Sequence, residues 1–247
     1  MNFGLIGKSV SHSFSKAYFQ KKFADLNLND FTYQNFDLSN LDSLLGIINE
    51  FKLNGLNITK PYKEAIMPYL NELDETAKTI GAVNCVKIKW ENNKPYLIGY
   101  NTDYYGFAQS IKPFLEPIHQ KALILGTGGA SKAICYALKQ IGVDYYFVTT
   151  SNKNGSNYFY YNELNNHVLN AFHLIINCTP IGMFPNVEDC VDIPYEHITH
   201  SHLLFDLIYN PEESLFLKNG KLKGAITVNG LNMLKLQADK AWQIWNN

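Results

Sequence analysis

The chain contains no arginine: all 21 of its basic residues are lysine. Any phosphate or carboxylate must therefore be held by Lys, hydroxyls, Asn or backbone N–H groups, never by a planar guanidinium fork. Charge is scarce as well. Charged residues make up 17% of the chain and the net charge is -1, which leaves no basic footprint for nucleic acid. Cysteine is limited to Cys85, Cys135, Cys178 and Cys190, with no CxxC spacing and no metal-ligand partners at usable offsets. Neither a disulfide framework nor a metal site is expected, and the four read as small buried hydrophobes. No apolar run approaches the roughly 20 residues that span a bilayer. Met1 to Lys8 read as strand, not as a secretory or transit signal. The expectation is a cytoplasmic protein, monomeric or homodimeric, that binds a small molecule and neither nucleic acid nor membrane.

What is present suits an enzyme of two domains. The 247 residues, 46% hydrophobic, are enough for one large core or two ordinary ones. The stretch that organises the rest is Lys121 to Gly142. Ala122 to Leu125 are a short apolar run, read as a strand buried on both faces of a parallel sheet. Gly126, Gly128 and Gly129 allow a sharp turn, and Ala133, Ile134, Ala137, Leu138 and Ile141 follow at helical spacing. Strand, glycine turn and helix make a phosphate site, because free N–H groups and the helix dipole point at one place. Ser131 replaces the third glycine of the dinucleotide fingerprint and is small enough to pack closely.

From the start of the chain, Phe3–Ile6 read as a first strand, and Ser9, Ser11, Ser13 and Ser15 crowd the loop before a helix carrying Phe19 and Phe23. Those hydroxyls suit helix capping or a bound carboxylate. Phe31–Phe36 predict a second strand, Leu41–Phe51 a helix buried through Leu41, Leu44, Leu45 and Ile48, and Gly55–Ile58 a third strand. That strand ends in Asn57-Ile-Thr-Lys-Pro-Tyr-Lys63, placing amide, hydroxyl and ammonium groups where open α/β sheets bind ligands. Ile66–Ile80 read as one helix, and a hairpin from Cys85 to Gly99 delivers Asn101, Thr102 and Asp103, suited to capping and, for Asp103, to more. Beyond the glycine turn, Tyr145–Val148, His173–Asn177, Leu203–Leu207 and Ala225–Val228 predict further strands, and Met233 to Ile244 an amphipathic helix that returns to the first domain. The loop Thr149–Lys153 has no acidic residue, which favours a 2′-phosphate over a free ribose hydroxyl.

Seven segments in order give the chain a resemblance to the shikimate dehydrogenase family. They are Gly7–Ser13, Asn57–Lys63, Gly81–Asn84, Gly99–Asp103, Gly126–Ser131, Asn177–Met183, and Asn229–Leu234 with Gln237. The resemblance implies two α/β domains: a substrate domain at 1–103, a Rossmann-type NADP-binding domain at 104–228, and a helix at 229–247 returning to the first. It implies reversible NADPH-dependent reduction of 3-dehydroshikimate to shikimate, in the chorismate and aromatic amino acid pathway. Lys63 and Asp103 fall on its catalytic pair, and Ser11 and Ser13 on its carboxylate-binding serines. Asn57, Thr59, Asn84, Tyr209 and Gln237 match its substrate ligands. Gly126, Gly128, Gly129, Ala130 and Ser131 match its phosphate turn, Thr150 and Lys153 lie in its ribose loop, and Thr179, Met183, Gly230 and Met233 line its nicotinamide site. NADP-preferring members usually carry arginine in the ribose loop, which here has only Lys153.

Hydride delivery to a ketone builds negative charge on oxygen, so a proton donor is needed beside it. Lys63 is the expected donor and Asp103 its orienting partner. The nearer rival is an NAD-dependent quinate/shikimate dehydrogenase with the same pair. The rival from another class is a non-catalytic ligand sensor, which has no need of both residues. A methylenetetrahydrofolate dehydrogenase shares the two-domain plan, but its signatures are missing.

Overall fold

A computed structural model describes residues 1–11, 13–151 and 155–247. The chain forms two compact units, one of Met1–Thr102 with Gln237–Asn247 and one of Asp103–Leu236.

The first unit contains β1 (Asn2–Gly7), α1 (Phe14–Asp25), β2 (Thr32–Asp37), α2 (Leu44–Phe51), β3 (Leu53–Ile58), α3 (Tyr62–Ala65), β4 (Glu72–Leu73), α4 (Glu75–Ile80), β5 (Cys85–Glu91) and β6 (Lys94–Tyr100). Its sheet runs β2-β1-β3-β5-β6-β4. The first three strands are parallel, β5 runs antiparallel to β3 and to its hairpin partner β6, and β4 pairs parallel with β6. Parallel pairing needs helical crossovers, which α1 and α2 supply.

The second unit contains α5 (Asp103–Ile111), β7 (Lys121–Leu125), α6 (Gly129–Gln140), β8 (Asp144–Thr149), β9 (Tyr158–Tyr160), α7 (Asn166–Ala171), β10 (Leu174–Asn177), β11 (Leu203–Asp206), α8 (Leu215–Leu222) and β12 (Ile226–Val228). Its sheet order is β12-β11-β10-β7-β8-β9, and the pairs are parallel. This is a doubly wound sheet whose winding reverses between β7 and β10, so ligands are expected beyond the carboxyl ends of those two strands. The strands β7, β10 and β11 are almost wholly inaccessible, which is why each reads as a continuous apolar run.

The last helix, α9 (Leu231–Asn246), begins in the second unit and ends in the first. Its final turns pack back on the first unit, as expected. Trp245 stacks on Phe3 with ring centroids 4.7 Å apart and donates its indole N–H to the Val86 carbonyl at 3.0 Å. Asp239 accepts from Tyr18 Oη at 2.7 Å and Lys22 Nζ at 2.5 Å, tying the helix to α1.

Some expectations fail locally. Ile66–Ile80 is not one helix: a 3₁₀ turn at Met67–Tyr69 and β4 precede α4. Pro68 suits only a helix start, and Asp74 begins a new helix by accepting the Ala77 N–H at 2.9 Å. Leu45 is half exposed, and Leu41 is buried ahead of the helix rather than within it. Of the cysteines, Cys85 lies in the core while Cys135, Cys178 and Cys190 are only partly covered.

Candidate functional site

In the first unit the expected residues gather at the carboxyl ends of β1 and β3 and around the β5–β6 hairpin. Ser11 is exposed in the turn before α1, and Ser13 caps that helix by accepting the Ser15 N–H at 3.2 Å. Capping uses one lone pair of the hydroxyl and leaves its hydrogen to donate. Asn57 stands near the end of β3, where Tyr33 Oη donates to its Oδ1 at 2.8 Å. Thr59 follows, its N–H donating to the Ile6 carbonyl at 2.9 Å. Lys60 is exposed, whereas Lys63 is half buried on α3 and its carbonyl accepts the Val83 N–H at 2.7 Å. The backbone from which the ammonium extends is thereby fixed to the segment leading to Asn84.

Asn84 is the centre of this group and is 4% exposed. Its Oδ1 accepts the Thr102 N–H at 2.6 Å, and its Nδ2 donates to Thr102 Oγ1 at 3.0 Å and Gln237 Oε1 at 3.1 Å. Gln237 comes from α9, so Asn84 draws three distant stretches of the first unit together. Thr102 is fully buried; the run Asn101–Asp103 suggests a site as well as a cap, but no role for Thr102 itself was expected. Its place between Asn101 and Asp103 reads as capping chemistry and gives no hint of the Asn84 contact.

In the second unit the glycine turn lies at the end of β7, on one side of the winding reversal. Gly126 adopts φ 94°, and a Cβ there would come within 2.8 Å of Thr179 Cγ2, so both conformation and space require glycine. Gly128 caps α6 without a side chain, and a Cβ there would meet nothing within 4 Å among the described residues. A bare backbone and the positive end of a 12-residue helix suit a dinucleotide pyrophosphate. Gly129 and Ala130 open that helix. Ser131 folds its hydroxyl back on the Gly128 carbonyl at 2.6 Å and is buried, filling the place of the missing glycine. Thr150 is exposed beyond β8, and Lys153 lies outside the described residues.

On the other side of the reversal, β10 ends in Asn177 and leads to Thr179 and Met183, the latter exposed. Asn177 Oδ1 accepts from Thr179 through N–H at 3.0 Å and Oγ1 at 2.7 Å. Beside it β11 ends in Asp206, which precedes the partly exposed Tyr209. Gly230 packs so closely on the Leu207 carbonyl that any side chain would collide, and its N–H donates to the Ile208 carbonyl at 3.0 Å. Met233 is turned into the second core with Phe107 and Ile124. Asp103 is buried at the first position of α5. Asp206 is a second residue that sequence reasoning missed, since an acid within an apolar run gives no sign of its partners.

Among the described residues no cluster of His, Cys, Asp or Glu could hold a metal ion, and no helix is long and apolar enough to cross a membrane. The second unit thus has the form of a dinucleotide-binding domain, joined in one chain to a smaller polar-lined α/β unit. Residues 5–86 match the shikimate dehydrogenase substrate binding domain. A shikimate dehydrogenase (NADP(+)) of Methanococcus aeolicus is 40% identical over 98% of this chain and 90% of its own length. The crystal structure of shikimate dehydrogenase from Aquifex aeolicus superposes with a TM-score of 0.88 at 33% identity, covering 100% of this chain and 92% of that one. A quinate dehydrogenase from Corynebacterium glutamicum in complex with NAD has a TM-score of 0.87 at 26% identity, covering 99% of this chain and 93% of that one. The chain belongs to the shikimate dehydrogenase family.

Proposed function

We propose that this protein is an NADP-dependent shikimate dehydrogenase that reversibly reduces 3-dehydroshikimate to shikimate, in the cytoplasm, on the route to chorismate and the aromatic amino acids. The observation that carries this is the Asn84 cluster. A buried amide bonded to Thr102 and Gln237, on the same unit as Asn57 and Lys63, is a polar constellation suited to a polyhydroxylated ring. The first unit binds the substrate and the second the dinucleotide.

Ser11 and Ser13 hold the substrate carboxylate in place of the arginine the chain lacks. Asn57, Thr59, Asn84, Tyr209 and Gln237 bind its hydroxyls. Gly126, Gly128, Gly129, Ala130 and Ser131 cradle the pyrophosphate, Thr150 and Lys153 bind the ribose phosphate, and Thr179, Met183, Gly230 and Met233 border the nicotinamide. The bound dinucleotide supplies the hydride. Lys63 supplies a proton to the ketone oxygen as charge builds there, and in reverse its neutral form takes the hydroxyl proton. Asp103 orients the ammonium and favours its charged form. The test is reduction of NADP by shikimate with the purified protein, compared with NAD and with quinate. Turnover confined to quinate and NAD would replace this reading with its nearer rival.

A further inference from the structure

At the carboxyl edge of the second sheet, Asn177 and Asp206 are register partners on the neighbouring strands β10 and β11. Asp206 is wholly buried, and its carboxylate accepts from Asn177 Nδ2 at 3.0 Å, the Ile208 N–H at 3.0 Å and Ser214 Oγ at 2.5 Å. Oδ1 takes the hydrogens of Asn177 and Ile208 and Oδ2 that of Ser214, so the ionised form meets all three donors as they stand. Burial opposes that state and pushes its pKa up to about 6, against the pull of the same hydrogen bonds. Asn177 meanwhile has no freedom to turn. Its Nδ2 faces Asp206, and its Oδ1 holds both the N–H and the hydroxyl of Thr179. One buried carboxylate therefore fixes the start of two loops, one leading to Thr179 and Met183, the other to Tyr209.

We propose that Asp206 is a positioning residue for hydride transfer, holding the nicotinamide-lining loop after β10 and the substrate-binding loop after β11 in one fixed spacing. The proposal rests on the dehydrogenase reading. It acts through Asn177, Thr179 and Ile208, and Asp206 itself touches neither ligand.

Asp206→Ala removes the Oδ1 that Asn177 Nδ2 and the Ile208 N–H share, and leaves both buried donors without their acceptor. Since small misplacements near the chemistry cost large factors in rate, kcat should fall at least about tenfold. NADPH affinity, read by fluorescence titration, should change less than about threefold, because the phosphate turn after β7 is untouched. Asp206→Asn keeps an oxygen in that place while its Nδ2 donates to Ser214 Oγ, so the two loops keep their shared acceptor. It should turn over at least about threefold faster than Asp206→Ala.

An Asp206→Ala enzyme within about twofold of an active wild type overturns the proposal, as does a folded Asp206→Asn enzyme no faster than Asp206→Ala. An inactive wild type would instead overturn the dehydrogenase reading. In that case, or if Asp206→Ala does not fold, amide exchange of the wild-type protein decides. The Thr179 and Ile208 amides should exchange at least about a hundredfold more slowly than free amides, and unprotected exchange at either overturns the proposal.

Discussion

Replacing Gly55 by alanine should loosen the last helix from the first sheet. Gly55 lies on β3 beneath Trp245, and a Cβ there would come within 2.4 Å of the indole Nε1, 2.5 Å of Cδ1 and 2.6 Å of Cε2. Carbon contacts settle near 3.5–4.0 Å, so the ring must retreat by about 1 Å. Trp245 is 5% exposed, stacks on Phe3 and bonds to the Val86 carbonyl, so little room exists for that retreat. Overpacking costs about 1–3 kcal/mol, and the strained or lost hydrogen bond about 0.5–1.5 kcal/mol. Alanine returns about 0.5–1 kcal/mol relative to glycine in a strand interior. The net is a loss of about 2 kcal/mol, or a fall of about 1 M in the urea midpoint for a slope near 2 kcal/mol/M. Trp90, Trp242 and Trp245 all belong to the first unit, so indole fluorescence follows that unit. The same helix carries Gln237 to Asn84, so the KM for shikimate should rise as well. A midpoint within about 0.2 M of wild type, or above it, would refute the packing argument.

Two further outcomes follow from the site and from the opposite edge of the second sheet. Lys63→Ala should lower kcat by about a hundredfold or more with a smaller effect on KM, the signature of losing a positioned acid or base; near-normal turnover in stopped-flow or steady-state assays would remove Lys63 from the chemistry. His119, His173 and His202 all have pKa values lowered by burial. His202 Nδ1 accepts the Thr199 N–H and His119 Nδ1 accepts the Glu116 N–H, both of which require an unprotonated nitrogen. Below the ordinary histidine value of 6.5 the unfolded chain takes up protons that the fold resists. Stability is therefore full above that pH and declines as pH falls toward the lowered values. Asp206, raised from 3.8 to about 6, acts in the opposite sense and favours the fold as pH drops through that range. The thermal midpoint of the second unit, followed by tyrosine signals, should thus fall between pH 7 and pH 6; a constant or rising midpoint there would contradict this.

The architecture was legible because the buried parallel strands are short apolar runs bounded by turn residues, and Ala122–Leu125 with its glycine turn announced a strand, turn and helix suited to phosphate. Segments that break periodicity were not legible. The three aromatics of β9 do not alternate, and α8 carries Lys-Asn-Gly-Lys in its middle, with Gly220 there because Leu204 leaves no space for a side chain. Within the site, groups in loops or at a strand end, such as Ser13, Asn84 and Asn57, could be picked from motif segments. Thr102 and Asp206 could not, since their significance lies in partners far along the chain: Thr102 binds Asn84 across 18 residues and Asp206 binds Asn177 across 29. Sequence spacing carries helical and strand periodicity, but not the pairing of two strand ends brought together only by the sheet.

The central claim is that these residues make a catalyst that oxidises shikimate with a nicotinamide dinucleotide. Its most direct test is the near-ultraviolet absorbance of reduced nicotinamide when purified protein is mixed with shikimate and NADP. A steady rise is expected, about a hundredfold slower or more in Lys63→Ala and weaker when NAD replaces NADP. No rise with either dinucleotide, from protein shown to be folded, would contradict it.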